Sequence, residues 1–229
     1  MTTPRFSCVI FDVDGTLSQT NQLIFASFNH VLDKYLGKIL SEREIIALFG
    51  PPEEGGLVKL LGEATAKEAE VDLYAFYSDN HDAMAYLHSG MKELLNYLKH
   101  QGLKLAVFTG KGRRTTEITL GKLGISEYFD VIVTGTEVVH HKPNPEGIQR
   151  VMSTLGVSPT EVLMVGDALS DVKASRAAGV KVAAAAWDSY DRDRLLQAEA
   201  DYVFHSPAEM LSWFKSLQPA QLSGKEHDG

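Results

Sequence analysis

Two carboxylates stand two residues apart at the end of an apolar run, in Val9-Ile10-Phe11-Asp12-Val13-Asp14-Gly15-Thr16-Leu17. A run of that composition reads as a buried strand, and the carboxyl ends of such strands are where open parallel α/β sheets bind ligands. Asp12 could there attack phosphorus in line, given a divalent cation to neutralise part of the phosphoryl charge. Asp14 fits an acid/base role, protonating the leaving oxygen and later taking a proton from the water that hydrolyses an aspartyl phosphate. Backbone N–H groups in the turn after Asp12 can point at phosphate oxygens, and Gly15 permits their close approach. Read alone, the pair is equally well a turn whose aspartates only hydrogen-bond local backbone.

Three downstream segments shift that balance. Phe108-Thr109-Gly110-Lys111 follows a second strong strand and offers a hydroxyl and an exposed N–H at the same sheet edge. His140-His141-Lys142-Pro143-Asn144-Pro145 holds a lysine between turn formers, just ahead of a helix beginning at Glu146. There the Lys142 ammonium could balance the charges of nucleophile and phosphoryl group. Val162-Leu163-Met164-Val165-Gly166-Asp167 is another hydrophobic strand ending in an aspartate, with Asp171 four residues later at a helix start. Mg²⁺ takes oxygen ligands in octahedral geometry and usually keeps waters, so Asp12, the Asp14 carbonyl and Asp167 would supply part of a shell.

The elements that must position these groups alternate between strand and helix. Strands are expected at residues 7–11, 104–108, 131–133, 162–165 and 180–184, each followed by a stretch of helical apolar spacing. Met91, Leu94, Leu95 and Leu98 share one helix face, and Gly102, Gly124, Gly156 and Gly179 are placed as helix stops. Residues 18–87 read differently, with long helical patterns and no convincing buried strand. Ile24, Phe28, Val31, Leu32 and Tyr35 trace one face, Ser41 and Glu44 form a capping box, and Gly50-Pro51-Pro52 breaks the run. The expected organisation is an α/β core with a Rossmann-like parallel sheet over residues 1–17 and 88–217, an inserted all-helical domain over 18–87, and a frayed polar tail over 218–229.

Composition bounds the rest. The chain has 229 residues, 44% hydrophobic and 23% charged, which is ordinary globular usage and closes a core without staples. Thirty acidic against 22 basic residues give a formal charge of −8, which repels nucleic-acid backbone and anionic membrane, so neither is an expected partner. The lone Cys8 sits inside the first apolar run as a small hydrophobe. No apolar stretch reaches a membrane span and the first residues lack an export signal, so the cytosol is the expected compartment.

Taken together, the motifs Asp12-Val13-Asp14-Gly15-Thr16, Thr109-Gly110, Lys142-Pro143 and Gly166-Asp167 with Asp171 resemble, in order and spacing, those of the haloacid dehalogenase superfamily of phosphatases. The resemblance covers nearly the whole chain. It implies a Mg²⁺-dependent phosphatase with Asp12 as nucleophile, Asp14 as acid/base, Thr109 and Lys142 as phosphoryl holders, Asp167 as a metal ligand and Asp171 orienting the metal site. It also implies that the helical insertion is a small cap that closes over the site and excludes water.

Within the superfamily the chain looks most like the phosphoglycolate phosphatases and related pyrophosphatases, through Thr20-Asn21, Phe49-Gly50-Pro51 and Ala185-Ala186-Trp187. Asn21, Gly50, Pro51 and Gly110 are therefore the candidate substrate contacts beside Thr109. Three positions depart from the family pattern: Gln19 stands where many relatives carry aspartate, Gly110 replaces asparagine or serine, and His88-Ser89-Gly90 lacks a proline-glycine. The expected substrate is a small soluble phosphate compound, 2-phosphoglycolate first and pyrophosphate next, handled by a monomer or weak homodimer. A sugar-phosphate mutase, a signalling receiver and a non-catalytic scaffold on the same fold are the rival readings. Among other residues, His140-His141 reads as a solvated loop, His81-Asp82 as a polar helix face, and Trp187 as packed beneath the loop after the last strand. Lys111, Arg113 and Arg114 are divided evenly between a site for a substrate tail and a solvated helix face.

Overall fold

A computed structural model of the chain describes residues 6–49 and 51–217. The expected tail over 218–229 and the candidate contact Gly50 lie outside those residues. In chain order the elements are β1 (Cys8–Phe11), β2 (Ser18–Gln19), α1 (Asn21–Leu36), α2 (Glu42–Ile46), α3 (Glu53–Leu61), α4 (Glu63–Met84) and β3 (Tyr86–Leu87). There follow α5 (Met91–His100), β4 (Lys104–Phe108), α6 (Arg113–Lys122), β5 (Val131–Val133), α7 (Glu146–Leu155), β6 (Val162–Gly166), α8 (Leu169–Ala178), β7 (Lys181–Ala185), α9 (Arg192–Gln197), β8 (Tyr202–Phe204) and α10 (Pro207–Ser216).

The main sheet has six parallel strands in the order β5-β4-β1-β6-β7-β8. Side chains alternate across it as the strand period requires. Val9, Phe11, Leu105, Val107, Leu163 and Val165 face α5, α6 and α10, whereas Cys8, Ile10, Ala106, Phe108 and Met164 face α7 and α8. The sheet is thus covered on both sides, the condition under which parallel strands become continuous apolar runs. Ile10 and Phe11 are fully buried, and such side chains each contribute about 1.5–3 kcal/mol relative to exposure. Burial also pushes the Cys8 thiol up to about 12, in keeping with a small core hydrophobe.

The expected strands are all present, within a residue at either end. Strand β8 was not foreseen, because three residues at the sheet edge carry too little alternation to be read. A second departure is the antiparallel pairing of β2 with β3, two residues each, which brings Ser18 opposite Leu87 and Gln19 opposite Tyr86. Both ends of the helical segment meet there, so the chain leaves and re-enters the core region through one narrow ribbon. Between them α1 and α4 pack on a separate cluster of Leu23, Phe28, Val31, Ala69, Leu73 and Tyr77. The Ser41–Glu44 capping box opens α2, and the glycine stops after α1, α7 and α8 have left-handed φ. Among the described residues no helix is long and apolar enough to cross a membrane.

Candidate active site

The segments following β1, β4 and β6, together with the loop after β5, converge at one edge of the sheet and form the floor of a cavity of about 110 Å³. Asp12, Asp14, Thr109, Gly110, Lys142 and Asp167 all line it. Pro51 lines it from the helical segment, while Asn21 opens α1 and is not among the lining residues.

Asp12 extends β1 by one more backbone bond, its N–H donating to the Val165 carbonyl at 2.9 Å. One carboxylate oxygen accepts from the Val13 N–H at 2.7 Å and the other meets the Lys142 ammonium at 2.9 Å. Lys142 reaches Asp171 as well, at 2.6 Å, and lies over the Phe108 ring at 4.7 Å. Burial works against the Lys142 charge, but Asp12 and Asp171 outweigh it and hold the amine protonated. Asp171, in the first turn of α8, also accepts from the Ala168 N–H at 3.1 Å, which fixes its rotamer.

Asp12, Asp167 and Asp171 can each bring one oxygen within 4.8 Å of the others. Burial raises the Asp167 carboxyl well above the usual range, and the Asp12 and Asp171 charges add to it; a hydroxyl bond from Thr16 at 3.1 Å offsets this only in part. Three crowded oxygen donors that repel one another, Asp167 and Asp171 buried and Asp12 half-buried, suit a hard divalent cation, which would relieve both burial and repulsion. The donor set therefore fits such an ion. The loop after β7 braces the same place: the Trp187 indole N–H donates to the Thr16 carbonyl at 3.0 Å and the Ser189 hydroxyl to the Asp167 carbonyl at 2.6 Å. Trp187 is thus a packing residue, as its sequence position suggested.

The Asp14 carboxylate turns away from that cluster. Thr20 donates its hydroxyl to Oδ1 at 2.5 Å and the Lys111 ammonium lies 3.3 Å from the same oxygen. Thr20 precedes α1 yet makes no capping bond with its side chain, because its hydroxyl is committed to Asp14. Burial raises the Asp14 carboxyl, with Lys111 and Thr20 pulling the other way.

The structure divides the basic cluster that the sequence left open. Lys111 is enclosed, with no exposed side-chain surface, while Arg113 bonds Glu137 at the protein's surface and Arg114 is exposed. Lys111 sits 3.3 Å from Glu53 and over the Tyr77 ring at 4.6 Å, so α3 and α4 both reach it. Glu53 was not anticipated. It accepts from the Gly112 N–H at 2.7 Å and the Thr115 hydroxyl at 2.8 Å, tying α3 to the start of α6. Its only trace in the sequence is an acidic pair following Pro51-Pro52, which reads simply as a helix start. His81 corrects a second reading: it is buried against Tyr77 in α4, and only Asp82 lies on the exposed face. His140 is exposed and pairs with Glu146.

Comparison with known proteins bears on the family and the fold. Residues 9–185 match the model of the family described as haloacid dehalogenase-like hydrolase. The chain is 35% identical over 214 residues to the pyrophosphatase PpaX of Bacillus velezensis, spanning 92% of this chain and 97% of that one. Its fold superposes on a predicted phosphoglycolate phosphatase from Haemophilus somnus with a TM-score of 0.81 at 26% identity, covering 93% and 99% of the two chains. A hydrolase from Pseudomonas syringae gives a TM-score of 0.78 at 25% identity over 92% of this chain and 99% of that one. A six-stranded parallel sheet with these carboxylates at its edge, and a family match over most of its length, mean that the chain belongs to the haloacid dehalogenase-like hydrolase family.

Proposed function

We propose that the protein is a Mg²⁺-dependent phosphatase that hydrolyses a small phosphorylated metabolite through an aspartyl phosphate on Asp12. The observation that carries this reading is the pairing of two differently placed carboxylates at one strand end: Asp12 held by Lys142 beside Asp167 and Asp171, and Asp14 held apart by Thr20 and Lys111. The first environment suits a nucleophile and the second a proton carrier. A carboxylate oxygen of Asp12 forms a bond to phosphorus as the bond from phosphorus to the leaving oxygen breaks, and Asp14 gives that oxygen its proton. Water then adds to the phosphorus, passes a proton to Asp14, and releases Asp12 and inorganic phosphate. Thr20 and Lys111 both meet Asp14 at Oδ1, so Oδ2 is the oxygen left to exchange the proton.

Asp12 and Asp167 would hold the cation, with Asp171 and the Asp14 carbonyl in support. When bound, the cation supplies charge neutralisation at the phosphoryl oxygens. Lys142 holds the nucleophile in place and adds a second positive charge there. The helical segment over 18–87 acts as a cap, with the β2–β3 ribbon as its attachment, and keeps bulk water from the floor while Asp12 reacts.

Relatives named as pyrophosphatase and phosphoglycolate phosphatase favour small substrates, and so does the cavity: a water takes about 10–15 Å³ of such space, leaving room for a phosphoryl group and a short organic remainder. The test is phosphate release in Mg²⁺ from a panel of small phosphate compounds, with Asp12→Asn as the blank. Release by the wild type and none by the variant is the expected result; equal release by both would sink the mechanism. Isomerised sugar phosphate without net phosphate release would assign the site to a mutase instead.

A further inference from the structure

The charges of the cavity are more restrictive than the floor alone suggests. Its charged lining consists of Asp12, Asp14, Glu53, Asp167, Lys111 and Lys142. Both ammoniums are already matched. Lys142 spans Asp12 and Asp171 at 2.9 and 2.6 Å, and Lys111 spans Asp14 and Glu53, each at 3.3 Å. No other lysine, arginine or histidine lines the cavity among the described residues. The helical segment contributes a hydrocarbon and aromatic wall of Ile24, Phe28, Leu48, Phe49 and Pro51, and Tyr190 from the loop after β7 meets it at the Phe49 ring.

A substrate with one phosphoryl group needs only the floor. A substrate whose leaving group carries a further carboxylate or phosphate needs a second cation besides Lys142, and the one other in the cavity is Lys111. Glu53 takes that cation out of use. Its carboxylate also has bonds from Gly112 and Thr115, which hold it beside Lys111 rather than free to swing away. Burial would raise the Glu53 carboxyl, but Lys111 and these bonds outweigh burial and keep it ionised. A second anion entering the cavity would therefore meet apolar wall and a fixed negative charge.

We infer that the substrate is the phosphate monoester of a small uncharged alcohol, its carbon skeleton lying against Ile24, Phe28, Leu48 and Phe49, and that Glu53 is the residue that turns away leaving groups bearing a second negative charge. This rests on the phosphatase reading above and narrows it: pyrophosphate and 2-phosphoglycolate become poor substrates, although relatives carry those names.

The experiment compares kcat/KM in Mg²⁺ for phenyl phosphate and glycerol 2-phosphate with that for 2-phosphoglycolate and pyrophosphate, using wild type, Asp12→Asn, Glu53→Gln and Glu53→Asp. The wild type is expected to favour the neutral-alcohol esters by about tenfold or more. Glu53→Gln leaves Lys111 with Asp14 as its one remaining charged partner, neutral when it carries the proton it gives the leaving group, and should raise the ratio of anionic to neutral substrates by about tenfold, while Glu53→Asp keeps the wild-type ratio. Asp12-dependent turnover that favours either anionic substrate in the wild type would overturn the inference and leave the phosphatase reading standing. So would a Glu53→Gln variant, folded by circular dichroism, that slows all four substrates alike, since Glu53 would then serve only to hold α3 on α6. If Glu53→Gln does not fold, the wild-type ratio alone decides. Phosphate release from none of the four, or equal release by Asp12→Asn, would overturn the phosphatase reading itself.

Discussion

The floor and the roof of the cavity hold their charge in opposite ways. On the floor Asp12, Asp167 and Asp171 crowd together beside Lys142, leaving negative charge in excess. On the roof Glu53 is matched by Lys111, its other bonds come from Gly112 and Thr115, and its neighbours are hydrocarbon. The floor is therefore built to take up a cation and a phosphoryl group, and the roof to accept nothing charged. Reactivity comes from groups the protein leaves unsatisfied, selectivity from groups it satisfies internally.

The largest effect that would test this contrast is at Asp12. Asp12→Asn should lower phosphate release by about 10³-fold or more, because the nucleophile is lost rather than weakened. Stability should move the other way. One of three repelling carboxylates is gone, so in chelator the variant should unfold at the same urea concentration as the wild type or a higher one. A variant clearly less stable than the wild type without metal would show that the floor is not in excess of negative charge, and the contrast with the roof would fail.

A pair of glycines sets the floor against an open helix end away from the cavity. Gly15 has a φ of 76°, and a Cβ there would lie 2.5 Å from the Asp167 carboxylate. Gly15→Ala meets both the left-handed backbone and the displaced carboxylate, for an expected loss of about 2–4 kcal/mol in urea unfolding. Gly37, which ends α1, has a φ of 62° and open space where its Cβ would point. Gly37→Ala should cost only the backbone part, about 1 kcal/mol. Equal losses at the two sites would mean that Asp167 is free to move and that the floor is not rigidly assembled.

The sequence carried the floor far better than the roof, for a physical reason. Asp12, Thr109 and Asp167 each follow a buried apolar strand at a fixed offset, so strand periodicity alone places them at one sheet edge. Lys142 was legible as a lysine between turn formers, although its reach to Asp171 was not. The roof has no such frame. Glu53 meets Lys111 only because α3 packs across to the start of α6, a contact between residues 58 positions apart that no local spacing encodes. Asn21 illustrates the converse, since its position in the family pattern does not bring it to the cavity wall. Edge strand β8 and the β2–β3 ribbon escaped for want of length.

Where floor and roof join, His88 supplies a pH test. It is buried after β3, between Gln19 and the edge of the Trp187 ring, and 3.6 Å from Asp188. Burial lowers its pKa to about 4. The unfolded chain, titrating near the usual value of about 6.5, then binds more protons than the native one between those values. Stability is therefore full above pH about 6.5 and is lost as pH falls toward 4, by about 2–3 kcal/mol. His88→Asn should flatten this part of the profile. Wild type and variant losing equal stability between pH 7 and 4.5 would show that His88 is not held neutral by burial where floor and roof join.

The smallest effect separates the packing of the roof from its charge. Tyr77 in α4 bonds the Thr119 hydroxyl of α6 at 2.8 Å, inside the protein, while its ring lies under the Lys111 ammonium. Tyr77→Phe removes the hydroxyl and keeps the ring. The lost bond should cost about 1 kcal/mol, read as a fall in melting temperature of about 2–4 °C for a chain of this length. The preference between neutral and anionic substrates should stay where it is, because Lys111 and Glu53 still face one another across 3.3 Å. A change in that preference would mean that the pair is held in register by the Tyr77 hydroxyl rather than by Gly112 and Thr115. Selectivity would then be a property of how α4 seats on α6, and not of the charge that α3 brings.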